Sequence, residues 1–249
     1  MAGVVRRARR VRRALWWLLF LILVGAAYLY GREYVRRHPQ DVPWTELKLR
    51  DPVGRFTLRK LVTLGEQPAQ CRALLADAGI ADVPVPPRRS GDQCGYADGM
   101  RLAKGGRSTA FAPTGVVTAC PVAAALALFE REALQPSAAR HFGSEVTAVE
   151  HAGSYSCRRL YGRAEGPFSE HATADAIDII GFKLADGTRI NVLGDWQSAG
   201  PKGAFLRDVR DGACGLFATV LSPDYNAAHA DHLHLDQAAR GKMNWSLCR

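Results

Sequence analysis

An uncharged run between two arginine clusters divides this chain before anything else can be read from it. Residues 14–30 include Trp16, Trp17, Leu18, Leu19, Phe20, Leu21, Ile22, Leu23 and Val24, with six arginines before them and Arg32, Arg36 and Arg37 after. As a helix rising about 1.5 Å per residue, the run is about 25 Å long, and it spans a ~30 Å hydrocarbon core once flanking Arg and Tyr side chains reach to the headgroups. Arginine clusters at both ends fit poorly with a helix buried in a soluble core. Trp16, Trp17, Tyr28 and Tyr30 fall where an aromatic belt forms, and the heavier arginine count before the run predicts that residues 1–13 stay in the cytoplasm. A cleaved signal peptide is the rival reading, with Val24-Gly25-Ala26 as a faint cleavage site. The run is longer than a usual signal-peptide core and ends in bulky Tyr-Leu-Tyr, so the expectation is an uncleaved anchor over residues 14–31. It places the chain in the inner (cytoplasmic) membrane as a single-pass protein with its C-terminal domain periplasmic.

The same segment explains the charge. Residues 1–40 hold nine arginines against Glu33, a balance of +8, so the remaining residues carry only +1 of the chain's +9. A nearly neutral folded region has no electrostatic footprint for nucleic acid, and nucleic-acid partners are excluded on that ground. Cys71, Cys94, Cys120, Cys157, Cys214 and Cys248 all follow the span and include no CxxC pair. An even set of widely spaced cysteines beyond an export segment reads as three disulfides in an oxidising compartment. Sequence alone cannot choose the pairing; the expectation taken forward is Cys71 with Cys94, Cys157 with Cys214, and Cys120 with Cys248.

Residues 32–45, charged and containing proline, read as a juxtamembrane linker, and residues 46–249 as one domain without repeats or low-complexity tracts. Residues 67–78 and 121–134 are predicted helices, the second beginning on a first-turn proline with an Ala/Leu stripe facing the core. Short strands are predicted over 145–150 and 155–160. A hairpin over 176–184 and 188–193 turns on Asp186-Gly187, since Asp-Gly supplies the positive φ a tight turn needs. A helix over 201–210 and strands over 217–221 and 232–235 complete the pattern. Helices first and an antiparallel sheet afterwards describe an α+β domain.

Two histidine clusters carry the chemistry. The first reads SEHATADAID, with His171 in a polar loop and Asp178 between Ile177 and Ile179 in an apolar strand, where a carboxylate needs a partner. The second reads HADHLH, in which strand periodicity puts His232 and His234 on one face and Leu233 and Leu235 on the other. Two imidazoles and one carboxylate are a ligand set for catalytic zinc, so His171, Asp178 and His234 are the candidate metal ligands for one Zn2+. Glu170, Asp175 and Asp236 are candidates to hold the ligands' free ring nitrogens, although Glu170 and Asp175 read more readily as ordinary solvent-facing acids. His229 reads as a loop residue. His38, His141 and His151 lack partner spacing, and Trp196 with Gln197 either lines a groove or packs beside a turn. The chain has no Walker-type phosphate loop, dinucleotide fingerprint or Gly-x-Ser-x-Gly elbow.

The stretch SEHATADAIDI resembles the S-x-H-x-x-G/A-x-A-x-D motif of zinc D-alanyl-D-alanine carboxypeptidases and dipeptidases, and DHLH resembles their second motif. More closely, about 71–248 resembles the bacterial extensin-like C-terminal domain family through SYSCR, SEHATADAIDI, FLRDVRDGACGLF and LSPDYNAAHADHLHLD. The resemblance implies a small antiparallel sheet bearing the zinc site and packed with helices, like the carboxypeptidase and hedgehog-type domains. It implies His171, Asp178 and His234 as zinc ligands, Asp231 as catalytic base, and His232 beside the metal without binding it. It further implies Arg158, or Arg159 in its place, as a substrate-orienting or charge-stabilising arginine, and Ser169 as a substrate or supporting contact. Aspartate at 231 stands where those carboxypeptidases have glutamate, one methylene longer. The expected function is zinc-dependent hydrolysis of a peptidoglycan peptide bond, as carboxypeptidase or endopeptidase. The competing expectations are a non-catalytic zinc-stabilised module binding cell-wall polymer or a partner protein, and a metal-free structural domain.

Overall fold

One helix, α1 (Ala2–Arg37), contains the whole apolar run. In this computed structural model, which describes residues 2–105, 109–241 and 246–249, that helix is long and apolar enough to cross a membrane and buries none of the qualifying stretch. A helix clad in exposed Leu, Ile, Phe and Trp is not packed as a core helix, and its length and composition are those of a membrane span or a signal sequence. It continues to Arg37, through the first part of the segment read as a linker. The second part is docked: Gln40 and Val42 are buried, and Lys60 Nζ donates to Pro39 O at 2.9 Å and to Thr45 Oγ1 at 2.8 Å.

The domain begins with helices α2 (Thr57–Thr63) and α3 (Pro68–Asp77). Six short strands follow: β1 (Val83–Pro84), β2 (Arg88–Ser90), β3 (Cys94–Tyr96), β4 (Met100–Arg101), β5 (Ala110–Ala112) and β6 (Val117–Thr118). β1, β4 and β6 form a small antiparallel sheet, and β2 with β3 a hairpin. Helix α4 (Cys120–Phe129) buries nine of its ten residues, which accounts for a sequence apolar on every side. The predicted helix over 121–134 does not stop there. A π turn at Glu130–Leu134 leads into α5 (Gln135–Phe142), which carries Pro136 in its first turn and ends at Gly143, whose φ of +60° suits a helix C-terminus.

Strands β7 (Val146–Gly153) and β8 (Ala176–Leu184) are the spine of the main sheet. The predicted hairpin forms, with β9 (Arg189–Asn191) returning around Gly187 at φ +90°. Asn191 then caps a short helix, α6 (Val192–Asp195), which ends the strand early. Helix α7 (Pro201–Ala213) and strands β10 (Thr219–Leu221), β11 (Leu233–Asp236) and β12 (Leu247–Cys248) complete the chain. The sheet runs β12-β10-β11-β8-β7-β5, antiparallel at its centre and parallel at both margins, with β9 on β8. Beneath it α4, α5 and α7 contribute Phe129, Phe142 and Phe205 to an aromatic core with Phe182 and Phe217. The whole is a mixed α+β domain.

Two expectations are corrected. Residues 155–160 form no strand beyond a bridge between Arg159 and Phe168, because their backbone groups bond the loop that carries His171: Ser156 N donates to His171 O at 2.8 Å, and Arg158 O accepts from Ser169 N at 3.1 Å. The disulfides are Cys71–Cys120, Cys94–Cys157 and Cys214–Cys248. None is an expected pair, Cys71 with Cys94, Cys157 with Cys214 or Cys120 with Cys248. Cysteine spacing along the chain does not report that α3 packs on α4, or that β12 returns beside the end of α7.

Candidate metal centre

Strand register builds the first half of the site. In the antiparallel β8–β11 pair His234 stands directly opposite Asp178, so their side chains share one face, while Ile177, Ile179, Leu233 and Leu235 are fully buried. His171 arrives from a 3-10 turn, Glu170–Thr173, whose N-terminus is capped by Ser169: its hydroxyl accepts from His171 N at 3.4 Å. The turn closes on Ala174, held at a left-handed φ of +59°, whose carbonyl accepts from Ala119 N at the start of α4.

The three side chains converge. His171 Nε2 lies 3.2 Å from Asp178 Oδ1 and 3.2 Å from His234 Nδ1, and the latter is 3.0 Å from Asp178 Oδ1. Tetrahedral zinc ligands at ~2.1 Å stand about 3.4 Å apart, so the triad matches such a site after small outward shifts. The outer ring nitrogens are committed elsewhere. His171 Nδ1 donates to Ser154 O at 2.6 Å and His234 Nε2 donates to Asp236 Oδ2 at 3.0 Å, turning the other nitrogen of each ring toward Asp178. Asp236 is buried and also accepts from Ala238 N at 3.0 Å. Among the described residues, this is the one His/Cys/Asp/Glu group placed to hold a metal.

Its electrostatics fit a cation. Burial works against the Asp178 carboxylate, but hydrogen bonds from His171 and His234 outweigh it and hold its pKa below the ordinary value. Burial likewise opposes charge on His234, and its bonds to Asp178 and Asp236 overcome that and raise its pKa to about 9. A positive charge is thus favoured at the centre even without a metal.

Around the triad lies a cavity of ≈ 420 Å³, lined by Arg158, Tyr161 and residues 167–170 from one segment and by Leu221, Tyr225 and residues 228–229 from another. A larger groove of ≈ 660 Å³ between residues 46–50 and α3 contains no such set of donors. The family model described as "Extensin-like protein C-terminus" matches residues 69–249, well over half of the chain. The chain belongs to that family. Neither the curated proteins nor the solved structures give a match.

Within this extensin-like domain the remaining predicted residues can be placed. His232 precedes β11 instead of lying in it, yet its Nε2 comes 3.5 Å from Asp178 Oδ1, beside the triad. Asp231 is exposed, and its Oδ1 accepts from His232 Nδ1 at 2.7 Å, so its carboxylate engages the imidazole beside the triad. Arg158 is exposed on the cavity wall, whereas Arg159 stacks on Phe168 at 4.4 Å. Glu170 and Asp175 are partly buried, and Glu170 lines the cavity. Burial, and next a neighbouring carboxylate, raises both pKa values, and Asp175 Oδ1 is sealed from water without a hydrogen-bond partner. Trp196 is packed, donating through Nε1 to Asp224 Oδ1 at 2.8 Å.

His229 was missed by the sequence reading. It is buried, its ring 5.1 Å from that of His232 and 5.9 Å from that of His234, and its Nδ1 donates to Asn226 Oδ1 at 2.8 Å. Burial, with the adjacent His232 and His234, lowers its pKa to about 4 and keeps it neutral. Its membership of the HADHLH run and the capping Asn226 three residues earlier were the available signals. His151 and His141 lie elsewhere, bonded to Pro113 O and Asp208 respectively.

Proposed function

We propose that this chain is a membrane-tethered zinc hydrolase that cuts a peptide bond in the peptide portion of cell-wall peptidoglycan, with its domain on the outer, oxidising face of the cytoplasmic membrane. The observation that carries the reading is the convergence of two imidazole nitrogens and a carboxylate, with the outer nitrogen of each ring already bonded and His232 Nε2 beside them. His171, Asp178 and His234 would hold the ion, which when bound supplies Lewis acidity and lowers the pKa of water. Three disulfides and an unburied apolar helix support the location.

The residues divide the work as follows. His232 Nε2 accepts a proton at the triad. Asp231, bonded to Nδ1 of the same ring, fixes its tautomer and stabilises the imidazolium that forms. This shifts Asp231 from base to orienting group, and its short side chain suffices for that. Arg158 on the cavity wall orients the substrate through its charge. Ser169 holds the His171 turn in shape.

A second reading, a zinc-stabilised module that binds wall polymer without cutting it, draws on the exposure of Asp231, whose carboxylate is free to water on one side. One experiment separates them. The full chain in detergent, with equimolar zinc, is incubated with muropeptides of several stem types, with and without chelator. New termini that appear only without chelator are expected; intact peptides throughout, with zinc retained, would leave the binding module.

A further inference from the structure

Two loops that contribute to the lining of the cavity, one through Tyr161 and the other through Tyr225 and Ala228, are joined by a side-chain hydrogen bond outside the triad. Asn226 Nδ2 donates to the Tyr161 hydroxyl at 3.3 Å. Each partner is held for that contact. Asn226 Oδ1 accepts from Ala228 N at 3.0 Å and from His229 Nδ1 at 2.8 Å, which turns the amide nitrogen outward to Tyr161. Tyr161 sits at a φ of +56°, a left-handed conformation rare for a bulky residue and frequent at functional sites. Its loop is closed on itself: Leu160 N donates to Pro167 O at 3.0 Å, Gly162 N donates to Arg159 O at 3.0 Å, and Arg159 bridges to Phe168. Tyr161 is nonetheless half exposed, and a large side chain strained into an exposed position calls for a reason beyond packing. Through His229, whose ring packs against His232 and His234, the contact is continuous with the metal centre.

From this geometry we infer that Tyr161 and Asn226 form a clasp that closes one end of the cavity and sets how long a substrate can be. Arg158 lines the same cavity as Tyr161. The closed end therefore combines a stop with a guanidinium, which suits a peptide that terminates there in a free carboxylate and not one that continues past it. The inference rests on the hydrolase reading above and narrows it to cleavage near a chain end.

The test uses the full zinc-loaded chain in detergent and two synthetic stem-type peptides, one ending in a free carboxylate and the other extended by several residues. Wild type should favour the free-ended peptide by about tenfold or more in kcat/KM. Tyr161→Ala should erase most of that preference by improving the extended peptide, and Tyr161→Phe, which keeps the ring and loses the hydrogen bond, should lose part of it. Asn226→Ala should match Tyr161→Ala, but Asn226 also caps the turn that carries His229, so Tyr161→Phe guards against a misfolded loop. Unchanged selectivity in Tyr161→Ala and Tyr161→Phe would overturn the clasp. If wild type cuts neither peptide, the hydrolase reading fails by itself, and calorimetric binding of the same peptides becomes the readout. Equal affinity of wild type for the two peptides, or no binding of either, then overturns the clasp as well.

Discussion

The floor and the rim of the cavity are built in opposite ways. The floor is strand and capped turn: His234 faces Asp178 by register, His171 is pinned by a carbonyl, and every ring nitrogen of the triad has a partner. The rim is loop, with Arg158, Leu160, Tyr161 and Asp231 exposed and contacts made through single side-chain bonds. Rigid, desolvated groups suit a task that tolerates little error in distance, such as holding an ion, whereas exposed loops suit recognition of a partner from solution. The difference implies that metal retention and substrate handling are separable by mutation.

Substitutions in the floor should have the largest effect. Asp178→Ala or His234→Ala should lower zinc affinity by well over 100-fold, read by competition with a chromophoric chelator; near-normal affinity in either would break the comparison at once. Asp236→Asn keeps an acceptor for His234 but removes its charge, and should weaken zinc about 10- to 100-fold in the same assay with an unchanged far-UV spectrum. In the rim, Asp231→Asn should retain zinc fully while turnover of a cleavable muropeptide falls about 100-fold or more, because the His232 tautomer is no longer fixed. Zinc affinity should also depend on pH. Below about 9 the metal-free His234 carries a proton that the ion must displace, so affinity should rise about tenfold per pH unit and level off above that value. A flat profile would detach His234 from the ion. Ala174→Gly should matter least: relief of the left-handed strain is offset by greater freedom of the unfolded chain, leaving stability within about 1 kcal/mol and zinc unchanged.

Legibility in the sequence followed the same division. The floor could be read because period-two alternation and an Asp-Gly turn are local signals: they put Asp178 and His234 on strands from neighbouring residues alone, although His232, expected in the same strand, lies just before it. The helices could be read too, although the π turn before Pro136 carried the second one further than its Ala/Leu stripe suggested. The rim could not. Which residue meets Tyr161, whether Asp231 faces the metal or His232, and which cysteine meets Cys157 depend on how distant segments meet, and no spacing records that. Residues 155–160 show the cost of reading locally: their alternation looks like a strand, yet their backbone serves the His171 loop.

Metal analysis of the full chain, wild type beside His171→Ala, bears most directly on the centre. One tightly held zinc per wild-type chain and none in His171→Ala, with both variants keeping the same disulfides, is the predicted result. A wild-type chain that purifies without metal and takes up no stoichiometric zinc on titration, or a His171→Ala chain that binds it as tightly, would contradict the assignment.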